Sequence, residues 1–122
     1  MNGDKAALRR KFDAFVSALG EVHEVLVQWL PDLAVPWERE LLAPALEVEA
    51  APEERLDDVK ALARTPRQFW GSGPNSRSER YIQRAKFEDQ LRLNNDLDDK
   101  CERASLAGDA LLLQLEPKAR YR

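Results

Sequence analysis

His23 is the single histidine and Cys101 the single cysteine of the 122-residue chain. An imidazole and a thiol make a nucleophilic pair only where the fold brings them within hydrogen-bond reach and something lowers the thiol pKa. No neighbour of Cys101 in sequence marks it as activated, so the plainer expectation is a small buried hydrophobe. His23 has Glu24 beside it but no second histidine or cysteine at ligand spacing. A zinc site would have to lean on carboxylates, which is uncommon. The expectation is a histidine packed at the edge of the core, with no metal and no cofactor.

Three other constellations resemble sites and fall short. Gly71-Ser72-Gly73 suggests a phosphate loop. A dinucleotide fingerprint needs a third glycine after a strand, and a Walker loop needs Gly-Lys-Ser/Thr, so a structural turn is the better reading. Asn94, Asp96 and Asp98 alternate as calcium ligands do, but Asp99 stands where that loop needs glycine and Ser105 where it needs glutamate. A solvated helix face or a polar kink accounts for them. Glu53, Glu54, Asp57 and Asp58 gather carboxylates on adjacent helix faces, with no partner acid to define acid–base work.

Charge placement says more than any motif. From Pro36 to Asp58 eight acids stand against Arg39 and Arg55, a local balance of −6. From Lys60 to Arg92 eight bases stand against three acids, a balance of +5, while the whole chain carries only −3. Such faces can simply neutralise one another across helices. Segregated charge also steers a complementary partner, which makes either segment a candidate docking surface. Arg67, Trp70, Arg77, Arg80 and Tyr81 cluster in the basic part, and they are of the residue types that dominate interface energetics. They are the expected partner contacts.

The elements that must position these residues start from one apolar ridge. Phe12, Phe15, Leu19, Val22, Leu26 and Trp29 follow at alternating steps of three and four, which sets a stripe along a helix expected from about Asp4 to Leu30. Gly20 lies inside it, where it offers a neighbour a close approach. A short second helix is expected to start with Pro36 at its first position and to be interrupted or kinked at Pro44. The alternation through residues 45–51 also allows a short extended piece. Pro52 is expected to open a third helix, with Leu56, Val59, Leu62 and Ala63 inward and Thr65-Pro66 closing it.

Phe69-Trp70 then leads into a Gly- and Pro-containing loop near residues 70–76, so the two rings either anchor that loop or stand exposed. A fourth helix is expected over about Ser78 to Ala104, slipping near Asn94-Asn95-Asp96, and a last piece over about Ser105 to Leu115. Gly108 leaves open whether these two are one. The basic tail, residues 117–122, is expected to be flexible. The whole chain, residues 1–122, is thus expected to be a single all-α domain, a bundle of four or five helices. Its core should hold Phe12, Phe15, Leu19, Val22, Leu26, Leu41, Leu56, Val59, Leu91 and Leu112.

The composition, 43% hydrophobic and 34% charged, suits a globular chain of this length without disulfides or metals. No apolar run approaches the roughly 18 residues of a membrane span, and residues 1–11 lack a signal-peptide pattern, so a cytoplasmic protein is expected. The functional expectation is non-catalytic recognition of another protein through a charged, aromatic-flanked surface. The partner would be a toxin neutralised in the manner of an immunity protein or antitoxin, or a copy of the chain itself. The alternatives are nucleic-acid binding by residues 60–92 with Phe69, Trp70 and Tyr81 stacking on bases, and a small enzyme assembled from scattered residues.

Overall fold

The computed structural model describes the backbone of residues 2–70 and 89–115 and the side chains of residues 5–70 and 96–115. Helix α1 runs Asn2–Trp29, α2 Pro31–Trp37 and α3 Ala43–Val48, with a π-helical segment Glu38–Leu42 joining the last two into one rod. A 3-10 turn, Pro52–Glu54, leads into α4, Leu56–Trp70, and α5 spans Asp89–Leu115. Counted as rods, the described residues form a four-helix, all-α bundle with no strand.

The ridge of α1 is its floor. Phe12, Phe15, Leu19, Val22 and Leu26 are fully buried, joined by Leu8, Val16, Ala18, Val25 and Leu30. Trp29 departs from the expected stripe and is 43% exposed. A strict three-four repeat drifts around a straight α-helix, so Trp29 lies roughly 100° from Phe12 while Leu30 returns to the same line. Leu30, and not Trp29, therefore ends the buried face.

The two longest helices, α1 and α5, lie side by side and antiparallel. Lys11 Nζ donates to Gln114 Oε1 at 2.8 Å, and Arg103 meets Glu21 at 3.6 Å near the other end. Helix α5 packs against α4 on its other flank. Helix α5 is continuous through Asn94-Asn95-Asp96 and Gly108, so the last two pieces, which the sequence leaves open as one or two, are one helix. A Cβ at Gly108 would collide with the backbone carbonyl of Ala63 and touch the Phe15 ring. The glycine that lets two elements close is thus Gly108; at Gly20 a Cβ would meet nothing within 4 Å.

Three prolines that sequence reasoning treats as boundaries lie inside helices. Pro31, and not Pro36, takes the first helical position, while Pro36 sits within α2 and Pro44 in the first turn of α3. The rod absorbs the loss of amide donors by widening one turn: Ala43 N–H reaches back to the Glu38 carbonyl, a five-residue step. Residues 45–48 are helical, so the extended piece is not formed. Pro52 opens only a 3-10 turn, and α4 starts at Leu56.

Helix α4 also continues through Pro66 to Trp70, correcting the expected stop at Thr65-Pro66. Thr65 Oγ1 donates to the Ala61 carbonyl at 2.7 Å, and Pro66 itself is buried. Continuation carries Phe69 into the core at 3% exposure, which offsets the roughly 3 kcal/mol that an internal proline costs. Leu56 is 39% exposed, contrary to expectation, because Val59, Leu62 and Ala63 set the inward face of α4. Leu112 packs half-buried against the core, and the side chain of Leu91 lies outside the described residues.

Candidate functional site

The rod of residues 31–48 and helix α4 run past one another in opposite senses, and the groove between them has two unlike ends. At one end, Trp37 and Phe69 meet edge to face with ring centroids 4.9 Å apart, and Phe69 stands edge to face with Trp70 at 5.2 Å. Trp37 is fully buried, and its Nε1–H donates to the Leu19 carbonyl of α1 at 3.0 Å. The indole thus satisfies its one donor on a backbone lone pair that the helix leaves over. This knot answers the question that Phe69-Trp70 poses in sequence: the rings anchor α4 to the core.

At the other end the groove stays open as a cleft of about 260 Å³. One wall is Glu40 and Pro44 with Glu47 and Val48 of α3; the other is Arg55, Asp58, Ala61, Leu62 and Thr65. Val48 and Leu62 belong to the buried core, so the floor is apolar. Three carboxylates and one guanidinium surround it. Arg55 Nε donates to Asp58 Oδ2 at 2.8 Å, one turn apart on the same wall. Of the lining acids Glu47 and Asp58 are exposed, and elsewhere in residues 36–58 so are Glu38, Glu54 and Asp57.

Arg9 of α1 ties this region to the bundle. Its Nη2 donates to Glu53 Oε1 at 2.8 Å and to the Ala50 carbonyl at 3.2 Å. The hydrogen bond from Arg9 holds the Glu53 carboxyl below the ordinary glutamate range, and the carboxylate raises the arginine in turn.

The residues expected to touch a partner have mixed fates. Arg67, exposed on α4, forks onto Asp109 of α5, with Nη2 to Oδ2 at 2.6 Å and Nε to Oδ1 at 3.4 Å. That hydrogen bond and the charge of Asp109 raise the Arg67 pKa. Trp70 is half-buried in the aromatic knot, 6.4 Å from Trp37 between ring centroids. Arg77, Arg80 and Tyr81 lie outside the described residues, as do the Gly71-Ser72-Gly73 loop and the 117–122 tail.

His23 and Cys101 meet different partners. His23 Nε2 stands 3.7 Å from Glu38 Oε2, beyond hydrogen-bond length, at the seam of α1 and the π segment. Cys101 is half-buried, and burial pushes its thiol up to about 12 although a hydrogen bond with Trp70 pulls the other way. A thiol so raised is neutral and a poor nucleophile near neutral pH. Asp96 and Asp99 lie on continuous helix, where they pair with Lys100 at 3.4 Å and Arg103 at 2.7 Å. That is a solvated helix face. Among the described residues no group of three or more His, Cys, Asp or Glu side chains has the arrangement of a metal site. No described helix is long and apolar enough to cross a membrane.

Sequence reasoning had the acids of the cleft as members of a charged run but not as the lining of one site. The missing signal is the pairing of Glu40, Pro44, Glu47 and Val48 with residues of a different helix, which no periodicity within either element encodes. Comparison with protein-family models, with curated proteins and with solved structures finds no match to this chain.

Proposed function

We propose that this chain is a non-catalytic module that binds another protein, and that the acidic end of the groove between the rod and α4 is the surface it uses. One observation carries this reading: the −6 segment lines an open cleft with Glu40, Glu47 and Asp58 and leaves five of its eight acids, Glu38, Glu47, Glu54, Asp57 and Asp58, exposed to solvent. A surface of that kind selects a basic partner and repels an acidic one. Neutralising a basic toxin, in the manner of an immunity protein or antitoxin, is one biological role of this type, and pairing with the basic stretch of a second copy is another.

Nucleic-acid binding is the second reading, supported by the +5 balance of residues 60–92. Of the bases there, Arg67 is engaged by Asp109, and the acidic rim would repel phosphate wherever it faces the duplex or strand.

Two measurements separate the readings. Affinity capture with the intact chain and with a Glu38→Lys, Glu47→Lys, Asp57→Lys variant should show a protein retained by the first and lost from the second. Fluorescence anisotropy with a mixed-sequence oligonucleotide at low and high salt should show no salt-sensitive association. Oligonucleotide binding unaffected by the triple reversal, with no protein retained, would replace protein recognition by nucleic-acid binding.

A further inference from the structure

We draw no further inference here: the strongest candidate, the surface patch formed by the exposed Leu106 and Leu113 two turns apart on one face of α5, is an apolar helix face, and nothing in the structure shows what covers it.

Discussion

The two ends of the groove between the rod and α4 are built from the same pair of elements and do opposite things. The end at Trp37, Phe69 and Trp70 is shut by aromatic rings, with its one buried indole donor paired to Leu19. The end at Glu47, Asp58 and Thr65 is open, apolar below and anionic above. Closing the first end costs little because rings desolvate cheaply once their polar atoms are matched. Closing the second would bury carboxylates, which carries several kcal/mol per unpaired ion. The two ends thus set the buried contacts that hold this small fold apart from the charge it leaves open to solvent.

Breaking the closed end should have the largest effect. Phe69→Ala removes a core ring that touches both tryptophans, and a loss of about 3–5 kcal/mol in urea unfolding is expected. Next comes the contact that lets α4 lie close to α5: Gly108→Ala drives a methyl at the Ala63 carbonyl, and a loss of about 1–3 kcal/mol is expected from overpacking. Trp37→Phe keeps most of the ring but leaves the Leu19 carbonyl without its indole donor, for about 0.5–1.5 kcal/mol by the same assay.

A subtler effect sharpens the comparison through Cys101, which adjoins Trp70. Because the folded thiol is raised to about 12, the protonated form is favoured in the native state. Its contribution is fully present below the unfolded thiol pKa and is lost as pH rises from there toward 12. Melts recorded through that alkaline window should fall more steeply for the native chain than for Cys101→Ala. At pH 8 the thiol should resist alkylation until the chain unfolds, and prompt labelling of the folded protein would show that the aromatic end is not closed.

Much of this was legible in the chain itself. The ridge from Phe12 to Leu26 is a strong local period, and the acidic and basic segments are visible as charge alone. The stops were not. Pro36, Pro44 and Pro66 each carry a local helix penalty, yet the rod widens one turn to pass its prolines, and α4 gains a buried Phe69 by continuing. Leu56 and Trp29 show the same limit from the other side: a position can fit a pattern and still face water when the neighbouring element lies elsewhere. Gly108 was visible as a glycine, but that Ala63 lies against it is a non-local fact. The cleft is equally non-local, since its two walls share no sequence signal.

The separation of the two ends is tested most directly by the urea midpoints of Phe69→Ala and Glu47→Gln, measured beside the unsubstituted chain at constant m. The account predicts a large fall for the first and a change within about 0.5 kcal/mol for the second, as for any exposed side chain away from the core. A comparable fall for both would show that the acidic end holds the fold together, and its carboxylates would then no longer stand as a surface kept for a partner.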